Sequence, residues 1–384
     1  MQLIPVDSKA RIKAFQKVPW RIYADDPNWV PHLKQDVEAV FDPKKNKCFR
    51  HGEAQRWVLL DDRERPIGRV AAFVHYRQNW GGMGFFECIN DKQAAFMLFD
   101  KCKEWLEERG MDRMDGPINF GEKDKFWGLI IKNFNLPPYY GQNYNPSYYV
   151  DLFEAYGFKI YYKQIIFHRN LNDPLQERYR ERAERIENNP KYEFRTIDMR
   201  EGEKYAEDFR KVYNRAWKSH SGFMDMPHYQ AKAMLNSFKP IMDENLIWFA
   251  YYDGEPVGFY ISLPELNEVF AYVNGNLNWW GKLKFYYHKE IRKAIRTSFG
   301  VVFGVDPDHQ GKGLEGAFFR QLEKLLHEKL KRPYTDLIIT WIGDFNPKMI
   351  RIIENLGTTR LREMATYRKL FDDSLEFQRA PEVN

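Results

Sequence analysis

The sequence predicts a mixed α/β protein built from two tandem copies of one unit, the first of them degenerate. Three observations lead there. Apolar strands alternate with amphipathic helices in both halves, the order of these elements repeats, and a glycine-rich strand-to-helix loop occurs in the second half only. A chain of 384 residues is long enough for two domains, each with a core of its own. Apolar residues at 43% and charged residues at 29% exclude a disordered or fibrous chain.

The repeat is read from landmarks. In the first half the strand WVLL at 57–60 turns into Pro66-Ile67-Gly68 and a second strand, RVAAFV. In the second half WFAYY at 248–252 passes through Asp253-Gly254 into Pro256-Val257-Gly258 and FYISL. These are two hairpins built alike. Each hairpin is followed by a strand and an amphipathic helix: GFFECI then AAFMLFDKCKEWLEERG, and FGVVFGV then LEGAFFRQLEKLLHEKL. Each half then has an Asn-Pro pair expected to cap a helix that a glycine ends, Asn145-Pro146 to Gly157 and Asn346-Pro347 to Gly357. The second set follows the first at a separation of roughly 190 to 200 residues, which indicates a duplication. Between the copies lies a charged, low-apolar stretch with the helical run RYRERAERIE. The expected organisation is a degenerate domain over 1–168, a linker helix over 169–191 and a ligand-binding domain over 192–384.

The segment Gly304 to Gly316, GVDPDHQGKGLEG, lies between an apolar strand and a long amphipathic helix. Gly311 and Gly313 allow a tight turn and a close backbone approach, successive N–H groups at a helix start can point at a phosphate, and Lys312 adds a cation. A plain strand-to-helix turn is the alternative. These residues resemble the acyl-CoA signature of the GNAT superfamily, in which a Val-x-Pro strand end leads into Gln/Arg-x-x-Gly-x-Gly/Ala and a helix. Val305 and Pro307 match the strand end, and Gln310, Gly311, Lys312 and Gly313 match the loop, followed by Leu314. Glu315 departs from the pattern, standing where Gly or Ala is usual. Asn346 and Gly357 match the fourth motif, but Ile353 stands where many members carry the tyrosine that protonates the leaving thiolate. After GFFECI the first half reads NDKQAAF, without glycine, so the resemblance implies one cofactor site per chain. The runs DPNWVP, GPINFG, PPYY, YNPSYY and AWKSHSGF are similar to bacterial tandem-GNAT proteins, which extends the resemblance to nearly the whole chain.

The resemblance implies a two-domain GNAT fold and an acyl-CoA-dependent N-acyltransferase that moves an acetyl or longer acyl group from acyl-CoA to a primary amine, without metal. Backbone N–H groups around Gly304 and Val305 would contact the thioester carbonyl. Glu265 and Glu268 are the candidate bases, with a solvated turn as their plain reading, and Tyr272 is a candidate proton relay or else a buried strand tyrosine. Trp217 and His220 are expected near the acceptor, although a histidine there equally suits a helix cap. A catalytically silent CoA- or ligand-binding protein is the alternative function.

The nine histidines form no HExxH or cysteine-paired spacing, so no metal site is expected. Cys48, Cys88 and Cys102 lack CxxC spacing, which fits a reducing compartment. Without a signal-like N-terminus or a run of 18 apolar residues, a cytoplasmic location is expected. The stretch 279–296, WWGKLKFYYHKEIRKAIR, gathers six Lys or Arg against one Glu. As a helix it aligns Leu283, Tyr287, Ile291 and Ile295 in a stripe. Such a segment packs into a core with its cations solvated, or lies peripherally on the inner membrane surface. In the second case the acceptor would be a lipid amine, as in the bacterial ceramide synthases that some tandem members resemble; in the first, a soluble small molecule. One basic stretch without a reader motif speaks against nucleic acid.

Overall fold

The computed structural model describes residues 1–121, 123–218, 224–328 and 334–383. The first repeat runs β1 (Gln2–Pro5), α1 (Lys9–Ile22), α2 (Lys34–Val40), β2 (Gly52–Leu60), β3 (Pro66–His75), β4 (Trp80–Cys88), α3 (Lys92–Glu107), β5 (Arg113–Gly116), β6 (Leu129–Lys132), α4 (Tyr148–Tyr156) and β7 (Lys159–Asn170). Helix α5 (Glu177–Glu187) connects it to the second repeat. That repeat runs β8 (Tyr192–Thr196), α6 (Gly202–Trp217), α7 (His228–Phe238), β9 (Ile247–Tyr252), β10 (Glu255–Pro264), α8 (Asn267–Phe270), α9 (Trp279–Tyr286), β11 (Thr297–Val305), α10 (Leu314–Glu328), β12 (Asp336–Gly343), α11 (Pro347–Asn355) and β13 (Thr359–Leu370).

The element orders of the two repeats match apart from β6 in the first and α8 and α9 in the second, and local chemistry accounts for the landmarks. Asp253 and Gly254 both take positive φ, 49° and 85°, as a two-residue turn between right-twisted strands requires. Asn346 caps α11 by accepting from the Met349 N–H at 3.1 Å. Asn145 does not cap its helix as expected. Its side chain is buried against β6, accepting from Ile130 N at 2.7 Å and donating to Ile130 O at 3.2 Å, and α4 begins after Ser147. Gly157 still ends α4 in the left-handed region at φ 97°.

All thirteen strands form one sheet in the order β1-β2-β3-β4-β5-β13-β7-β12-β11-β10-β9-β8, with β6 also on β13. The repeats have exchanged their last strands. β7 of the first lies antiparallel to β12 of the second, and β13 of the second lies antiparallel to β5 of the first. The long pair β7–β13 joins them at the centre, from Thr359↔His168 to Arg368↔Lys159. The repeats are thus consecutive along the chain and interleaved in space. Helices cover both faces, and the largest apolar cluster draws on β7, α5, β9, β10, α10 and α11 together. No helix among the described residues is long and apolar enough to cross a membrane.

The repeats differ most between their third and fourth strands. In the first, β3 and β4 are joined at 76–79 by a short turn; in the second, residues 265–296 stand between β10 and β11 and contain α8 and α9.

Candidate active site

Strands β11 and β12 are parallel and paired only from Thr297↔Asp336 to Gly300↔Ile339. Beyond that they part. The register of β10 against β11 shifts at the same level, Ile261 facing Val302 and Ser262 facing Gly300, so Val301 is an extra residue. Such a bulge bends the strand and increases its twist, and the edge of β11 toward β12 is left without a ladder from Val301 onward. A cleft of about 200 Å³ fills the wedge. Its walls are mostly apolar, with Val301, Val302 and Phe303 on one side and Ile339, Ile342, Met349 and Ile353 on the other.

The glycine loop stands at the far end of β11, at the mouth of this wedge. Gln310 shapes it by donating from Nε2 to Val305 O at 3.1 Å, and Asp306 holds the turn by accepting from Asp308 N and pairing with Arg215 at 2.7 Å. His309 meets Tyr192 Oη at 2.6 Å, so both loop flanks are turn residues. Lys312 is exposed. Gly311, at φ 71°, faces open space. Gly313, at φ 104°, does not. A Cβ there would lie 2.8 Å from Arg182 Cβ, so its bareness makes room for α5. That contact brings Arg182, a cation on the linker helix, to the loop. Its recognition from sequence would have required knowing that α5 packs on α10. Leu314 is buried in the core beneath the loop.

Glu315 lines the cleft. Burial pushes its carboxyl above the usual range, while nearby Arg182 acts in the opposite direction. Trp217 is in the cleft wall as well, stacked on Tyr213 at 4.6 Å. It also explains Gly304, where a Cβ would meet Phe259 and Trp217 ring atoms at 2.6 and 2.9 Å. Gly304 and Val305 lie on the open edge of β11 but at its loop end, four and five residues past the last pair with β12. The edge nearest the parting point is that of Val301 to Phe303. His220 lies outside the described residues.

The candidate bases and relay are elsewhere. Glu265 is no solvated turn residue: it is 3% exposed, and its Oε1 accepts from Tyr140 N at 2.8 Å and Asn267 N at 2.9 Å. Burial pushes its pKa up to about 8. Because Tyr140 belongs to the first repeat, Glu265 ties the repeats together. It is not among the residues lining the cleft. Glu268 is committed to the start of β11, accepting from Arg296 N at 2.6 Å, Thr297 N at 3.3 Å and Thr297 Oγ1 at 2.6 Å. Tyr272 is neither on a strand nor buried. It is exposed after α8 and stacks on His288 at 3.7 Å.

A residue the sequence reading passed over stands at the parting point. Tyr260, on β10, is 5% exposed, and its ring packs on Phe319 at 5.7 Å. Its hydroxyl lies 3.5 Å from the Cβ position of Gly300, at the cleft, with the Ser262 side chain as its polar neighbour on the same strand face. Burial holds the hydroxyl well above the ordinary tyrosine range, hence protonated. Ile353, at the position where a tyrosine was expected, lines the same cleft. The alternation of FYISL carries the only sequence signal, placing Tyr260 and Ser262 on one face of the strand.

In the first repeat the equivalent wedge is filled. β4 and β5 share one parallel pair, Gly82↔Asp115, and the chain then folds back so that Ile118 N donates to Met83 O at 2.7 Å. Ile118 O lies 1.8 Å from where a Gly84 Cβ would stand. At the start of α3, Asp91 caps the helix by accepting from Ala94 N at 2.8 Å, which puts a carboxylate at the helix N-terminus.

Parallel strands parting at a bulge, ahead of a glycine loop and a helix start, decide the fold. The chain has a tandem GNAT fold. It covers 96% of its own length and 98% of a tandem GNAT protein from the clavulanic acid biosynthesis pathway, with a TM-score of 0.54 and 11% identity. It is also similar to a GCN5-related glucosamine N-acetyltransferase region in a fungal multi-domain GH3 β-N-acetylglucosaminidase, with a TM-score of 0.55 and 14% identity over 96% of this chain and 38% of that one. In sequence it is 26% identical to a bacterial ceramide synthase of Caulobacter vibrioides, over 96% of this chain and 97% of that protein. No family model matches. This fold keeps an open wedge in the second repeat and fills the one in the first.

Proposed function

We propose that the protein is an acyl-CoA-dependent N-acyltransferase that transfers an acyl chain longer than acetyl to a long-chain amine. The observation that carries this reading is the apolar wedge between β11 and β12, open at the glycine loop. Phosphates bind at the loop N–H groups with Lys312 and Arg182 beside them. The pantetheine and acyl chain run along the open edge of β11, where N–H groups of Val301 to Phe303 meet the thioester carbonyl. The amine nitrogen bonds to that carbon and the C–S bond breaks. Tyr260 gives its proton to the sulfur and regains one, through solvent, from the nitrogen, leaving an amide and a free thiol. The resemblance to a bacterial ceramide synthase supports a lipid amine as the acceptor.

Thermal stabilisation by a series of acyl-CoA esters tests this directly. Each ester should raise the melting temperature according to its concentration over its Kd, more for palmitoyl-CoA than for acetyl-CoA, and labelled palmitoyl-CoA should acylate a long-chain amine such as sphinganine. Stabilisation without turnover on any amine would favour a silent binding protein. No stabilisation by any ester would reject the site.

A further inference from the structure

The insertion 265–296 is anchored on one side and bare on the other. Val269, Phe270, Val273 and Ile295 are buried in the main cluster. Trp20 of α1 donates from Nε1 to Asn274 Oδ1 at 2.9 Å, and Lys34 N donates to Gly275 O at 3.0 Å, so both repeats hold the insertion. Beyond this anchor, the stripe expected to pack is exposed except for Ile295. Trp279 and Trp280 are 67% and 70% exposed, Ile291 is 62%, and Leu283, Tyr286 and Tyr287 are exposed beside them. Scattered apolar residues on a surface need no explanation, but a contiguous aromatic patch does.

Charge identifies the occupant. Residues 279–296 hold six cations and one carboxylate, a net +5, which equals the formal net charge of the entire chain. Lys282, Lys284, Arg292, Lys293 and Arg296 are all exposed. Aromatics with one apolar and one polar edge, interleaved with solvated cations on a short helix, match the headgroup layer of an anionic bilayer. A protein partner of the same area would leave those cations to find carboxylates one by one, whereas an anionic lipid surface meets them all.

We infer that α9 and the turn after it dock on the anionic leaflet of a membrane, with Trp279 and Trp280 at headgroup depth. The placement is consistent with the site. The insertion ends where β11 begins, at Thr297, while the glycine loop follows where β11 ends, at Val305. The wedge therefore lies between the docked surface and the loop, about 25 to 30 Å apart for a nine-residue strand. The acyl-CoA comes from the aqueous end.

Flotation of the full chain with vesicles tests the inference independently of acyl transfer. The protein should float with phosphatidylcholine vesicles containing phosphatidylglycerol, less with phosphatidylcholine alone, and less again at high salt. Lys282→Gln with Lys284→Gln should lower partitioning roughly thirtyfold, from the usual effect of a cation near an anionic surface. Trp279→Ala with Trp280→Ala should abolish flotation on both vesicles while leaving the melting temperature unchanged. Equal flotation of wild type and the tryptophan variant would overturn the proposal. So would a wild type that ignores both vesicles at low salt, or a tryptophan variant that turns a dimer into a monomer without altering flotation.

Discussion

Tyr260 keeps a buried hydroxyl beside the point where β11 and β12 part, with Ser262 as its polar neighbour. Replacing Tyr260 by Phe removes at most its one interaction with the Ser262 side chain. Tyr260→Phe should therefore stay within about 1.5 kcal/mol of wild type in stability, bind acyl-CoA with unchanged affinity, and lose about 10²- to 10⁴-fold in kcat. An unchanged kcat would return the proton to solvent. Glu265 makes a different statement. Its folded pKa of about 8 stands above the ordinary 4.5, so between these values the folded chain keeps a proton that the unfolded chain releases. Its contribution is fully present below about pH 4.5 and is lost as pH rises toward 8. Glu265→Gln keeps an acceptor for Tyr140 N and Asn267 N. The variant should match wild type in urea unfolding at pH 4.5 and exceed it at pH 8 by on the order of a few kcal/mol. At this scale the turn at Gln310 to Gly313 was legible, because turn chemistry is local, whereas Trp217 was expected from the resemblance alone and the packing of α5 over Gly313 was not foreseen. Tyr260 and Arg182 were not, since a strand tyrosine reads as core and a linker arginine as a solvated charge until the neighbouring strand and helix are in place.

The two loop glycines separate binding from packing at the scale of elements. At Gly313 the space a side chain would take is held by α5, so Gly313→Ala should lower stability, by about 1 to 3 kcal/mol for a strained left-handed residue with a clash, and loosen α5 from α10. At Gly311 the space is open, and Gly311→Asp should leave the melting temperature within a few degrees of wild type while lowering acyl-CoA affinity at least tenfold through charge and steric conflict with phosphate. Isothermal titration and thermal melts of both variants distinguish the two; an affinity loss confined to Gly313→Ala would move the phosphate site. Elements with a strong period or cap, such as α10 and the β9–β10 hairpin, were readable from the sequence. LPELNEVFAYV was not, because its alternating apolar residues belong to the short helix α8 and a turn, where burial against Tyr140 and Phe285 decides the conformation over local preference. The closed wedge of the first repeat was half readable. The missing glycines were visible in NDKQAAF, whereas the refilling of the wedge by Ile118 depends on contacts across strands.

Over the whole molecule, the duplication was legible and the exchange of final strands was not. Hydrophobic alternation marks β7 and β13 as strands but carries no information about which neighbour each selects, since strand pairing is decided by long-range burial. The exchange also sets a schedule for the growing chain. β5 of the first repeat is complete at Gly116, but its neighbour β13 begins only at Thr359. At about 5 to 20 residues per second, synthesis needs on the order of tens of seconds to deliver it. Throughout that interval the β5 edge of the first repeat lacks the strand that covers it in the folded chain, and an uncovered edge is a template for mispairing.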